Sequence, residues 1–355
     1  VKKAKKESAM SQRMRRLLSV LLIIALFGGP VGCGSEKRHD KTYYTWFDTV
    51  TTVIGYGSDK DFDHACAILE DVLERYHRAA DIYHEYSGMV NACSVNRAAG
   101  RGPVAAAPEL AELLAFGREV HALTHGQCSV AMGAVLSIWH DCREAALAGE
   151  TARVPEAEEL REAWEHCRIE DLVLDDENGT VELRDPEMRL DLGAVAKGYA
   201  AEKAARALED AGLTGYALNL GGNVRTLGAK PGGESWVAGV QEPDAGGERA
   251  YRLRVTLDGA ALVTSGSYQR FYEVDGVRYH HIISPDSLFP RNEFLSVTIR
   301  GDDSGLADAL STAVFNMELA DGYNYVNQLQ GVEACWILAD GSVRYTDGFQ
   351  EYILP

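Results

Sequence analysis

The sequence predicts an α+β fold: layered, mostly antiparallel sheets flanked by helices. Two observations carry that expectation. Many short β-rich runs are joined by hairpin turns, at Asn178-Gly179, Asp275-Gly276 and Asp340-Gly341. Two or three longer stretches instead repeat apolar residues every third or fourth position. A third feature bears on domain count: no Pro/Ser-rich linker divides the chain after residue 45, so residues 46–355 are expected to form one domain.

Composition narrows the function. The 355 residues are 46% hydrophobic and 25% charged, ordinary for a globular protein. The formal net charge is −18, and without residues 1–32, which carry seven Lys/Arg and one Glu, it is −24. So acidic a chain argues against nucleic acid as a partner. An anionic ligand would need a local cation or metal to hold it.

The first 32 residues read as a signal peptide. Basic residues from Lys2 to Arg16 precede the apolar run 17–27, and small residues follow up to Gly32. The apolar run is short for a membrane span. Val31-Gly32-Cys33 resembles a bacterial lipobox, with Pro30 where a Leu is usual. Cys33 would then carry lipid, 33–45 would be a tether, and the protein would be exported and anchored to the outer face of the cell membrane. An uncleaved anchor and a secreted protein without lipid are the alternatives. The other six cysteines form no C-x-x-C pair, so neither a zinc nor a thioredoxin-type site is expected.

Residues 44–54 are rich in branched and aromatic side chains and predict a strand. From Asp61, Phe62, Ala65, Cys66, Leu69, Val72, Leu73 and Tyr76 predict one amphipathic helix that runs on toward Tyr83. Pro108 stands at the first turn of a second helix, with Leu110, Leu113, Leu114, Gly117, Val120 and Leu123 as its stripe. Pro155 to Trp164 read as a short acidic helix and 172–183 as a hairpin. The stretch 191–223 is the most informative. It reads as a strand end, a small-residue loop around Ala194, a helix from Lys197 capped by Gly212, a strand at 216–220 and the turn Gly221-Gly222-Asn223. Little side-chain bulk flanks the helix start, so peptide N–H groups can approach an anion there, and Lys197 adds a charge. A tight connection with an exposed lysine is the plain alternative. Strands follow at 236–241, 251–257 and 294–299, with a hairpin at 271–283 between them. A helix at 307–315 and a closing hairpin at 335–345 complete the chain.

Several of these segments resemble the ApbE family of FAD:protein FMN transferases, in the family's order, from about residue 46 to about 341. Asp191-Leu192-Gly193-Ala194-Val195-Ala196-Lys197-Gly198-Tyr199 meets the family's Asp-x-(Gly/Ser)-x-x-Ala-Lys-Gly-Tyr motif. The resemblance implies that Asp191 binds FAD, that the Ala194 carbonyl faces a metal, and that Lys197 lies beside the phosphates. Phe47 matches a residue that packs on the flavin, and Tyr83 one that borders it; each is equally readable as a core aromatic. Gln127, Cys128 and Ser129 fall in 126–136, which resembles the loop that gives FAD backbone contacts, with Ser129 replacing an Asp. Asn223 joins the cofactor-binding set. His280-His281-Ile282-Ile283-Ser284-Pro285 resembles the family's His-Ile-Ile-Asp-Pro, so His281 becomes the expected general base. Ser267, Ser284, Ser287 and Leu288 depart from the usual Asp, Asp, Thr and Gly. Asp308 and Thr312, one helical turn apart, match the family's metal ligands, and hard oxygens suit Mg²⁺.

The resemblance therefore implies Mg²⁺-dependent transfer of FMN from FAD, as substrate, to a Ser or Thr of an exported or membrane redox protein, releasing AMP. The acceptor would bear a Ser/Thr-Gly-Ala-Thr-like motif. FAD pyrophosphatase activity and non-catalytic flavin binding are the alternatives.

Overall fold

The computed structural model describes residues 37–243 and 250–355. The expected signal peptide, Cys33 and the start of the tether lie outside the described residues.

In chain order the elements begin with strands β1 (Arg38–Tyr43) and β2 (Thr51–Tyr56). Helices α1 (Asp59–Ala80) and α2 (Ala92–Arg97), the short β3 (Val104–Ala105) and helix α3 (Pro108–Leu123) follow. Then come α4 (Gly133–Ala148), α5 (Ala157–Trp164), β4 (Leu172–Asp175), β5 (Thr180–Leu183) and α6 (Ala196–Asp210). Strands β6 (Tyr216–Leu220), β7 (Asn223–Leu227), β8 (Trp236–Gln241), β9 (Tyr251–Leu257) and β10 (Ala261–Gly266) are next. After them lie β11 (Phe271–Val274), β12 (Val277–His280), β13 (Phe294–Gly301) and α7 (Ser304–Asn316). Helix α8 (Leu319–Val326), β14 (Glu333–Leu338) and β15 (Val343–Tyr345) end the series.

An eight-stranded sheet in the order β1-β2-β6-β7-β10-β13-β14-β15 organises the molecule. Its pairings are antiparallel. Alternation along the strands sends side chains to opposite faces. Val53, Leu218, Leu220 and Leu227 pack against α1 and α6. Val263, Val297, Ile299 and Trp336 pack against Leu310, Val314 and Phe315 of α7. On the other face Ile54, Ala217, Val224 and Leu262 meet the β8–β9 ribbon through Trp236, Ala238 and Val255. The result is helices, sheet and ribbon in layers, as expected. No helix of the described residues is long and apolar enough to cross a membrane.

Local chemistry explains the helix ends that matter. Ser58 caps α1 by accepting from the Asp61 N–H at 3.1 Å, and Asp303 caps α7 by accepting from the Leu306 N–H at 2.8 Å. Gly212, at φ 75°, follows α6 in the left-handed region that glycine tolerates.

Four expectations are corrected. Residues 38–43, placed in the tether, form β1 and zip onto β2 from Arg38↔Tyr56 to Tyr43↔Thr51. Their polar side chains suit a solvated edge strand, which tether-like composition hides. The strand expected from residue 44 starts at Thr51, because Phe47 and Asp48 turn the chain with φ 53° and 49°. Asn223, read as a turn residue, opens β7. The loop expected across 126–136 ends at Gly133, where α4 begins; its N–H donates to the Arg189 carbonyl at 3.0 Å, and a Cβ there would lie 2.4 Å from that oxygen.

Helices α6 and α7 cross without room for a side chain at Gly198. A Cβ there would stand 2.4 Å from Asp308 Cβ and 2.4 Å from the Ser304 carbonyl oxygen. Alanine normally gains about 1 kcal/mol over glycine inside a helix. Here the overpacking cost of about 1–3 kcal/mol opposes it. Gly198→Ala is expected to destabilise the fold, measured as a lower urea midpoint; an unchanged or higher midpoint would refute the close crossing.

Candidate functional site

The crossing places Lys197, Asp308 and Thr312 together. Asp308 is buried, and its Oδ2 accepts from the Gly198 N–H at 2.8 Å. The Lys197 ammonium lies 3.5 Å from Oδ1 and 3.4 Å from Oδ2. Helical spacing puts Thr312 one turn along α7, on the same face. Its hydroxyl is 3.4 Å from Ser265 Oγ, and Ser265 Oγ is 2.7 Å from Ser311 Oγ. Ser311 in turn donates to the Asp308 carbonyl at 2.8 Å. A buried carboxylate, several hydroxyls and one ammonium thus meet between two motifs 111 residues apart. Ala194 stands three residues before Lys197, in the turn leading into α6.

Two loops are pinned to the C-terminal end of α7. Asn316 Nδ2 donates to the Gln127 carbonyl at 3.0 Å and to the Ile283 carbonyl at 3.3 Å. Gln127 Nε2 donates to Asp286 at 3.1 Å, while its buried Oε1 has no partner. Cys128 is fully enclosed, and burial, with the Asp308 charge second, pushes its thiol up to about 12. Its backbone N–H donates to Thr124 Oγ1 at 3.2 Å, which fixes the loop at this residue. Ser129 Oγ accepts from the Ala131 N–H at 3.3 Å, which spends that hydroxyl on its own loop.

Asp191 and Tyr83 line a cavity of about 730 Å³ with His140 and Arg189. Tyr83 is exposed, its ring 5.5 Å from that of His140, so the structure removes it from the core. Asp191 Oδ1 accepts from the Gly193 N–H at 2.8 Å. Surrounding protein nevertheless raises the Asp191 carboxyl above its usual value, against the pull of that N–H, His140, Arg270 and Arg143. Phe47 is partly buried and packs edge-on to His77 at 5.4 Å. Asn223 is buried opposite Leu220, and its Nδ2 has no partner.

His281 donates its backbone N–H to the Arg270 carbonyl at 3.1 Å. Its side chain is exposed, and no hydrogen bond ties it to Lys197, Asp308 or Thr312 among the described residues. Encroaching protein lowers its pKa well below the ordinary imidazole value, followed by the charges of Arg270, His280 and Arg143. At neutral pH the ring is the proton-accepting form. Neighbouring His280 is buried; its Nε2–H donates to the Arg291 carbonyl at 2.7 Å and its Nδ1 accepts from the Ile282 N–H at 3.2 Å.

Sequence reasoning missed Asn316, Ser265, Ser311, His140 and the arginines 143 and 270. Their chemistry is ordinary in isolation, and only folding brings them to the site. Among the described residues no group of three or more His, Cys, Asp or Glu gathers as a metal cluster. Carboxylate and hydroxyl oxygens around one lysine suit a hard divalent cation only when phosphate oxygens complete the shell.

Fold and donor set together put a buried carboxylate, several hydroxyls and one ammonium at a helix crossing backed by an antiparallel sheet. The chain belongs to the ApbE family, whose profile matches residues 47–336. A Klebsiella pneumoniae relative named FAD:protein FMN transferase is 30% identical over 279 residues, which are 78% of this chain and 84% of the relative. One of the same name from Treponema pallidum is 33% identical over 274 residues, 73% of this chain and 74% of the relative. The crystal structure of an ApbE protein of Thermotoga maritima, 28% identical, superposes with a TM-score of 0.78 and covers 90% of this chain and 100% of its own.

The His280 pair of bonds has a consequence for stability. Burial lowers its pKa from 6.5 to about 4. The folded value lies below the unfolded one, so the unfolded chain takes up the proton first as pH falls. His280 therefore costs nothing above about pH 6.5 and costs roughly 3 kcal/mol by pH 4. Denaturation at pH 7 and pH 4.5 should show a stability loss that His280→Gln reduces; an equal loss in both proteins would refute the assignment.

Proposed function

We propose that this chain is a Mg²⁺-dependent FAD:protein FMN transferase. The observation that carries the reading is the meeting of Lys197 with Asp308, which unites the two motifs expected to grip the diphosphate. In the proposed reaction a Ser or Thr hydroxyl of the acceptor attacks the FMN-side phosphorus of FAD. The P–O bond to the AMP phosphate breaks, AMP leaves, and the hydroxyl proton passes to His281. Lys197 offsets charge on the phosphate oxygens. Asp308, Thr312 and the Ala194 carbonyl are the oxygens that would hold Mg²⁺, which when bound would neutralise charge developing on the diphosphate. Tyr83, Phe47, Asp191, Asn223 and the 127–129 backbone would hold the dinucleotide. The acceptor is a flavoprotein subunit with a Ser/Thr-Gly-Ala-Thr-like motif.

Protein incubated with FAD, Mg²⁺ and an acceptor domain should add the mass of FMN to the acceptor and release AMP. Asp308→Ala and His281→Gln should each slow labelling by roughly a hundredfold or more. AMP release without a mass shift would mean that water, not a protein hydroxyl, is the nucleophile. Labelling by Asp308→Ala at the wild-type rate would remove the cation site from the reading.

We also propose export and lipid anchoring at Cys33, supported by the basic flank, apolar run and lipobox-like triplet. Cys33→Ala should move the protein from the membrane to the soluble fraction on cell fractionation. An unchanged membrane share would refute lipid attachment there.

A further inference from the structure

One buried carboxylate ties together α6, α7 and β7, the elements that carry Lys197, Asp308 and Asn223. Glu202 lies on α6, one helical turn beyond Gly198 and so on the same face. Its side chain is 7% exposed. Oε2 accepts from the Ser304 N–H, the first of α7, at 2.9 Å, and from Arg225 Nε at 2.9 Å. Oε1 accepts from Arg206 Nε at 3.0 Å. Arg206 reaches on to Asp303, the cap of α7, at 2.7 Å. On α7, Asp308 lies one turn beyond Ser304. The contacts 202–304 and 198–308 are therefore successive rungs of one interhelical seam.

The third element is β7. Arg225 is 6% exposed at its side chain, and Asn223 lies two residues before it, on the same face of the sheet. Arg225 also donates to the Thr226 carbonyl. The carboxylate at 202 thus spans from α6 to α7 and β7 at once. Burying an ion pair is costly, and an apolar pair of similar volume is often as stable or more so. Packing alone does not require this arrangement. What it supplies is direction: the N–H at the start of α7 and two guanidiniums converge on two oxygens and leave the seam one register.

We propose that Glu202 is a positioning residue for the transfer reaction: through Ser304 and Arg225 it sets the mutual placement of Lys197, Asp308 and Asn223. The inference rests on the proposed function, since Lys197 and Asp308 matter through the diphosphate and its cation and Asn223 through the dinucleotide. Glu202 touches neither ligand.

The test uses the full chain saturated with FAD, whose phosphate oxygens complete the shell, with Mn²⁺ as the probe for the cation site, counted by electron paramagnetic resonance. Glu202→Gln keeps shape and removes the charge. Measured well below its own melting temperature, it should bind Mn²⁺ tenfold to a hundredfold more weakly than wild type, the range that supporting residues behind metal ligands command. The double variant Glu202→Leu with Arg225→Met should recover melting temperature while Mn²⁺ affinity stays low. FMN transfer should lose kcat with FAD affinity, read by flavin fluorescence, changed less. Wild-type Mn²⁺ affinity in Glu202→Gln, or affinity that returns together with melting temperature in the double variant, would reduce Glu202 to a structural role and overturn the inference. If wild type itself binds no Mn²⁺, the proposed function falls, and that result is distinct from a variant that matches a binding wild type.

Discussion

The crossing of α6 over α7 at Gly198 is the constraint on which the site depends. Only a residue without a Cβ lets the helices come this close. That closeness lets a backbone N–H reach Asp308, and it brings the preceding residue's ammonium to the same carboxylate. A buried carboxylate needs such partners, because desolvation without them costs several kcal/mol. The same contact that settles the helix packing thereby leaves a polar knot between the apolar faces of the two helices. The large sheet beneath makes the knot rigid: α6 rests on Leu218 and Leu220, α7 on Val263 and Trp336.

Around that knot the protein places its more adaptable parts on loops. The 126–132 and 281–290 loops do not form secondary structure with each other. They are held by Asn316, which reaches one carbonyl of each from the end of α7. A single side chain thus couples both loops to the rigid helix pair. His281 sits on the exposed side of this arrangement, where a large partner can approach it. The departures at Ser129, Ser284, Ser287 and Leu288 fall in the same loops. Ser129 and Ser284 turn their hydroxyls inward, to the Ala131 and Asp286 N–H groups, and stabilise the loops themselves.

Much of the fold was legible because local patterns decided it. The α1 stripe through Tyr76, the α3 stripe through Val120, the hairpin at Asp275-Gly276 and the helix after Lys197 appear where period and turn residues put them, whereas α1 stops at Ala80 short of Tyr83 and Leu123 is exposed. The misses share a cause. β1 has the composition of a tether, and only pairing with β2 makes it a strand. Helix α4 was obscured by a glycine at its start, which tertiary contact with Arg189 demands. Around the helix crossing, the meeting of Lys197 with the helix bearing Asp308 and Thr312 could be anticipated from their two motifs. Asn316, Ser265 and Arg225 could not, since nothing in their neighbourhoods distinguishes them until the chain is folded.

The six described cysteines are buried and unpaired. Burial raises every one of their pKa values, Cys128 and Cys335 to about 12 and Cys167 to about 11. Thiolate is the reactive form, so these sulfurs are scarce nucleophiles while the fold is intact. The domain is consequently indifferent to the redox poise around it. Oxidant, glutathione or an alkylating dye meets these sulfurs only when the chain opens, and the thiols then serve as six internal clocks for that opening.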